Sequence, residues 1–482
     1  MQLQHLPEPE LEFGSGRHID IRFGIANFGP LDRHEPSARH SIYAAVIGTP
    51  QTVEGVCAWL ERCKLPIAGK RSKRPNLFPI FPGFDSDGPF ASTLVLDSRL
   101  QRHVSFTILA SLQSLPASAE VVEAAVAIFI DECKAAISIT RPDVIICAPP
   151  GDLLDHLEGE RSLVTTRRPF RRSPGPSVPD FHDILKARAM ALGVPIQMVR
   201  PETYDPAKAK RVRKDPSRTR ALQDDATRAW NLHAALYYKA GGALWRFPRE
   251  ASAYSTCYVG VSFYDLGPEL AIKASLAQVF NERGFGVVVR GGAGHIDKDD
   301  RQPHLDSIGA AGLLRSALQT YRQEHKNLPA RVVMHKTSRF SPAELEGFRG
   351  AIADLGVDSL ELLHVGPVEF KLFRLGEYPP LRGTLWTIND AFYVLYTRGS
   401  IQFYNTYPGL YVPVPVGMRI AQSSQSPQFL ANEILALSKM NWNSTQFDER
   451  DPITVRGARK VGHILKHLAD SDVPQSRYSF YM

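Results

Sequence analysis

The sequence predicts an α/β protein of two successive domains, and three stretches carry that expectation. Val46-Ile47-Gly48-Thr49 runs straight into the helical pattern TVEGVCAWLERC, which is a strand-to-helix step. The helical periodicity of VVEAAVAIFIDECKAAI leads into DVIICAPP, an apolar run ended by proline that reads as a buried strand. Past Phe247-Pro248 a second series begins: the β-rich STCYVGVSFYDLG, pairing strands within LAIKASLAQVFNERGFGVVVRGG, then the helix AAGLLRSALQTYRQEH, the strand RVVMHKTSRF, the helix SPAELEGFRGAIADLG and the strand SLELLHV. Strands alternating with helices argue for parallel layers covered by helices. The domains are placed at residues 1–250 and 251–482.

The remaining stretches are less regular. HIDIRFGIANFGPL is a strand-like opening, and Pro79 to Pro89 is crowded with turn formers between phenylalanines. Residues 158–179 form a loop bearing Arg161, Arg167, Arg168, Arg171 and Arg172, either a solvated surface or a grip on phosphates or an acidic partner. With 482 residues there is length for full-sized cores, and a net charge of +7 favours polyanionic partners. The five cysteines form no metal-binding pair pattern, which suits a reducing compartment. The first residues lack a basic segment followed by an apolar one, and no apolar run reaches spanning length, so the expected location is the cytoplasm with no membrane partner.

The stretch with most chemistry is Phe181 to Trp245. His182 and Lys186 stand at i and i+4, so a helix opening at Pro179-Asp180 projects both from one face near its N-terminus, where phosphate is favoured. Gln197 follows on the apolar run PIQMV, and Lys239 sits on a second helix ending at Gly241-Gly242. Imidazole, ammonium and amide groups together make a donor-rich pocket for a terminal phosphate. The bland alternative is a charged, solvated helix face. Between the arms lies a basic cluster of Lys208, Lys210, Arg211, Arg213, Lys214, Arg218 and Arg220, which repels itself unless a polyanion runs past.

The pattern His182-x-x-x-Lys186, then Gln197, then Asn231-x7-Lys239-x-Gly241-Gly242 resembles the guide-end pocket in the MID domain of Argonaute proteins. The opening residues, the FPGFDSDGPF block and the tail from LALSKMNWN to YSFYM look like short prokaryotic Argonautes, the tail resembling that family's last strand and helix. The resemblance implies a Rossmann-like MID domain followed by an RNase H-like PIWI domain. It implies a guide RNA held by its 5′-phosphate at His182, Lys186, Gln197, Asn231 and Lys239, with single-stranded target DNA recognised by pairing. It also implies a Mg²⁺ against that phosphate, held with help from the terminal carboxylate on Met482. One position departs from the pattern, Ala235, where the family usually carries a polar residue.

An RNase H-like nuclease needs carboxylates from neighbouring strands to hold two divalent ions. At the positions the resemblance assigns to them stand Ser262, Lys336, and Asn441 or Asn443. A hydroxyl, an ammonium group and an amide do not hold Mg²⁺ pairs, so slicing is expected to be absent. Asp265, Asp297, Asp299, Asp300 and Glu344 are near in sequence but out of register, with DKDD as an exposed turn; Gly260-x-Ser262 and Gly291 to Gly294 read as loops, and His335 as a structural hydrogen-bonding residue. The implied role is a sensor whose output comes from a second polypeptide, an APAZ-containing sirtuin-like or TIR NADase. A guided metal-dependent nuclease with a rebuilt site and a plain scaffold remain as alternatives.

Overall fold

The computed structural model describes residues 2–157, 180–215, 222–248, 255–264, 272–280, 286–373, 379–409, 412–446, 449–468 and 472–482. The arginine-rich loop 158–179, Arg218, Arg220 and Asp265 therefore lie outside the described residues. The chain opens with β1 (Gln2–His5), β2 (Leu11–Glu12) and β3 (Arg17–His18), followed by α1 (Ile21–Phe28). This helix overturns the strand-like reading of HIDIRFGIANFGPL. Asp20 accepts from the amides of Arg22 and Phe23, Gly29 at φ +71° ends the helix, and Ile21 and Ile25 bury one turn apart. Local capping outweighs the β-branched composition.

A smaller sheet follows. Its elements are β4 (Ser41–Gly48), α2 (Pro50–Arg62), β5 (Thr93–Val95), β6 (Gln101–His103), α3 (Phe106–Gln113), α4 (Ala119–Ile139), β7 (Val144–Ala148), α5 (Phe181–Ala189), β8 (Ile196–Met198), α6 (Pro201–Tyr204), α7 (Pro206–Lys214) and α8 (Asp225–Lys239). The strands run β5-β4-β7-β8, with β6 also on β4, and every pairing is parallel. Such a sheet is buried on both faces, which is why β7 reads as an unbroken apolar run.

The larger sheet is assembled from β9 (Thr256–Tyr264), β10 (Ile272–Phe280), β11 (Gly286–Ile296), β12 (Pro303–His304), β13 (Arg331–Lys336), β14 (Ser359–Pro367), β15 (Thr384–Asn389), β16 (Phe392–Leu395) and β17 (Val416–Gln422). Its order is β1-β15-β16-β17-β14-β13-β9-β10-β11-β12. The strands β9, β13 and β14 are parallel at its centre, and α9 (Ser307–His325) and α10 (Pro342–Leu355) cover one face. Gly260 and Ser262 lie inside β9, and Gly291 to Gly294 inside β11, so neither stretch is a loop. The pairing of β1 with β15 puts Gln2 to His5 in this second sheet. Only a partner strand at the far edge reveals this, and no local pattern does.

The tail holds two helices, α11 (Pro427–Leu437) and α12 (Ile453–Leu465), with no strand between them among the described residues. That corrects the expected strand: Leu435, Ala436 and Leu437 are the buried end of α11, and Ser438 to Met440 follow it as a turn. α12 packs on β9 and β10 and also touches α5. Its approach to β9 requires Gly260, where a Cβ would sit 2.0 Å from the Thr454 carbonyl oxygen. Trp442 joins the two halves, stacking on Tyr238 at 4.9 Å and donating to the Trp245 carbonyl at 3.2 Å. Among the described residues no helix is long and apolar enough to cross a membrane.

Candidate nucleic-acid interface

Three elements distant in sequence deliver one cluster of cations. α5 is capped by Asp180, which accepts from the His182 amide at 3.0 Å, and this fixes His182 and Lys186 one turn apart on the same face. The Lys186 ammonium is buried and donates to the main-chain oxygen of Met482. Lys239, the last residue of α8, donates to that same oxygen at 3.0 Å, to the Ile196 carbonyl at 3.1 Å and to the Gln197 side-chain oxygen at 2.8 Å. Gly241, at φ +92°, then turns the chain away.

The third element is α12, which brings Lys460 and Arg456. Burial and then Lys460 hold the Lys239 ammonium well below the usual lysine range, and burial, Lys460 and Lys239 do the same to Lys186. Lys460 is itself pushed down by burial and by Arg456. His182 is pushed down to about 4, first by burial and then by Lys186, although its Nδ1 sits 3.0 Å from Asp183. Asp180 and Asp183 oppose the charges of Lys186 and Lys460, and Glu449 pairs with Arg456 at 2.6 Å, whereas burial and Lys460 alone act on Lys239, so its ammonium group is the one an arriving anion would favour most.

A cavity of about 520 Å³ opens in front of these groups, lined among others by His182, Gln197, Arg228, Asn231, Ala235 and Asn443. Asn231 serves as a fastener as well as a wall: its side-chain oxygen accepts from the Thr445 amide at 2.8 Å and hydroxyl at 3.0 Å, while its amide donates to Gln223 at 3.1 Å. Arg200, Glu202 and Thr203, at the start of α6, form another wall, and α7 continues from there. Lys208, Lys210, Arg211 and Arg213 all lie on α7, capped by Asp205; Lys210 and Arg211 are exposed, Lys208 is half-buried, and Arg213 leans on Asp225 at 3.4 Å.

No family model matches this chain, and no curated protein does. Solved structures do. Clostridium butyricum Argonaute bound to a guide DNA and a 19-mer target DNA superposes with a TM-score of 0.65 at 14% identity, over 98% of this chain and 54% of that one. Drosophila Piwi and Aa-Ago with externally bound siRNA each give 0.58, at 13% and 12% identity, over 99% of this chain and 56% of theirs. The fold is Argonaute-like. The chain spans a little over half the length of these structures.

Within the Argonaute-like fold, the expected pocket residues His182, Lys186, Gln197 and Lys239 converge, and Asn231 borders the same cavity. The three positions expected to replace the nuclease ligands do not converge. Asn443 lines the cavity beside Asn231, far along the chain from β9 and β13 and on the pocket's wall. Lys336 is in register with Val261, not Ser262, so the alternation of side chains puts Ser262 and Lys336 on opposite faces of the sheet. His335, on the Ser262 side, hydrogen-bonds the Thr454 hydroxyl at 2.8 Å and is pushed down to about 3 by burial, which is the structural role expected of it.

Lys336 is fully buried against Glu344 at 2.6 Å and donates to the Arg339 carbonyl at 2.7 Å. Glu344 also accepts from the Ser341 and Leu305 amides and pairs with His304, which reaches on to Asp300 at 3.1 Å. Glu344 and Asp300 therefore stand in a network with Lys336, while DKDD is the turn expected of it, with Lys298 and Asp299 exposed. An i,i+8 contact across a tight turn leaves no periodic trace in the sequence.

The residues around Met482 do not fit Mg²⁺. Its main-chain oxygen is taken by two ammonium groups with a third lysine nearby, and Ala235 supplies no ligand. Asp180, His182 and Asp183 place ligand atoms within 4.8 Å of one another, but these two carboxylates are the counter-charges of Lys186 and Lys460.

Proposed function

We propose that the chain holds the 5′-phosphate of a guide strand in the cradle formed by His182, Gln197, Lys186, Lys239 and Lys460, and reads a complementary strand by pairing without cutting it. The observation carrying this is the convergence of two buried lysines from α5 and α8 and a half-buried one from α12 beside a cavity walled by imidazole and amide groups. A phosphate dianion entering there meets charge-assisted donors in a low-dielectric setting, and its charge raises the lowered proton affinities of the ammonium groups. α7 continues from the cavity wall as a run of exposed cations along which the following phosphates can pass.

The cutting step lacks support in the chain's residues: Ser262 carries no charge, Lys336 is a cation spent on Glu344, and Asn443 belongs to the pocket. The likeness to a structure that holds guide and target DNA supports the guided reading, as does the order of pocket residues along the chain. By the same resemblance to short Argonautes, the guide is RNA and the target single-stranded DNA. Binding then activates an associated APAZ-containing sirtuin-like or TIR NADase. The test is co-purification: Lys186→Glu with Lys239→Glu should abolish bound guide while the fold is retained by circular dichroism, and unchanged co-purifying nucleic acid would sink the assignment.

A further inference from the structure

A second cluster of cations lies on the larger sheet, remote in sequence from the cradle. Lys336 on β13 pairs in register with His364 on β14, His364 with Arg419 on β17, and Arg419 with Phe392 on β16. Residues opposite one another across strands share a face, so these side chains form one row. Arg339 follows the C-terminal end of β13, the end of an open parallel sheet at which ligands bind. The Arg419 guanidinium lies over the Phe392 ring at 3.6 Å, which holds it flat and presents its edge.

The charges of this row are not balanced internally. Lys336 is matched by Glu344, and Asp300 and Glu344 both bind His304. Arg339 acts on Asp300 across some distance, and Arg339 and Arg419 make no ion pair among the described residues. The Nδ1 of His364 is buried without a hydrogen-bond partner. Burial and then Arg419, Arg339 and Lys336 push this imidazole down to about 4, and burial and Arg339 lower Arg419 in turn. Three cations thus crowd one neutral ring, an arrangement that an anion relieves.

We infer that Arg339 and Arg419, with His364 between them, form a second phosphate subsite that grips a phosphodiester of the strand paired to the guide. The inference rests on the guided reading above, and it adds a contact for the second strand made by protein cations. Arg339 and Arg419 supply the fork-shaped donors suited to phosphate oxygens, and the unpartnered Nδ1 of His364 donates as well once the arriving anion draws a second proton onto the ring.

The experiment uses guide-loaded full-length protein and a labelled complementary single-stranded DNA, with binding followed by anisotropy over a salt series. Arg339→Glu, which changes an exposed side chain, and Arg339→Glu with Arg419→Glu should load guide normally yet weaken target binding about ten-fold or more. The log–log salt slope should fall by about 0.7 for each phosphate no longer neutralised. Arg419→Lys, keeping the charge, should lose less than Arg419→Ala. Normal guide loading with unchanged target affinity and slope in Arg339→Glu and the double variant would overturn the subsite. Wild-type protein that fails to prefer 5′-phosphorylated guide would instead overturn the guided reading on which it rests.

Discussion

Lys460 is the residue whose role is least expected. It stands 221 positions after Lys239, yet both act on the same small volume, and its charge helps hold Lys186 and Lys239 below their ordinary range. Lys460→Ala should weaken binding of 5′-phosphorylated guide by about 1.5–3 kcal/mol, the scale of a charge-assisted hydrogen bond. Binding of the 5′-hydroxyl guide should scarcely change, and competition between the two reads the difference. The same charges set a pH dependence. Phosphate favours the protonated forms of Lys186, Lys239 and His182, whose proton affinities are depressed in the free protein, so binding takes up protons. Affinity for the 5′-phosphorylated strand should therefore fall as pH is raised from about 6 to about 9, with no matching loss for the 5′-hydroxyl strand. His182, Lys186, Gln197 and Lys239 were legible because each lies within one local motif. Lys460 was not, although Arg456, Lys460 and His463 share one face of α12 and that periodicity was the available signal. Asn443 lines the cavity, and a position in sequence does not record which wall a loop turns towards.

The steps β4 to α2 and α4 to β7, and the series from β9 to β14, follow from patterns visible in the chain: buried apolar strands and helical periodicity. What did not follow were contacts made at a distance. α1 was hidden because its caps, Asp20 and Gly29, outweigh the residues between them, and β1 pairs with a strand more than 370 residues away. The register of β9 against β13 separates Ser262 from Lys336, and no sequence pattern records register. Gly260 tests the packing of α12. A methyl there meets the Thr454 carbonyl oxygen, so Gly260→Ala should lower the unfolding free energy by about 1–3 kcal/mol and loosen guide binding by shifting Lys460. Denaturant titration and the competition assay measure the two effects. α7 has a different signature: Lys210→Ala with Arg211→Ala should leave stability unchanged and reduce the salt dependence of guide binding by about 0.7 for each cation removed from the phosphate path.

At the scale of the molecule, the two sheets are tied by Trp442, Tyr238 and Trp245, and the cradle lies at the same junction, since α5 and α8 come from one half and α12 from the other. Neither half alone completes it. With Lys336 paired to Glu344 and Ser262 on the opposite face, purified guide-loaded protein should leave a complementary strand intact in Mg²⁺ or Mn²⁺; guide-dependent cleavage at a fixed position would revive the nuclease alternative. The central claim, that the guide's leading phosphate lodges between α5, α8 and α12, is tested most directly by a density map of the guide-loaded protein. That phosphate should lie within hydrogen-bonding reach of His182, Gln197 and the three lysines. A map placing the 5′ end elsewhere, with this cavity holding only solvent, would contradict it.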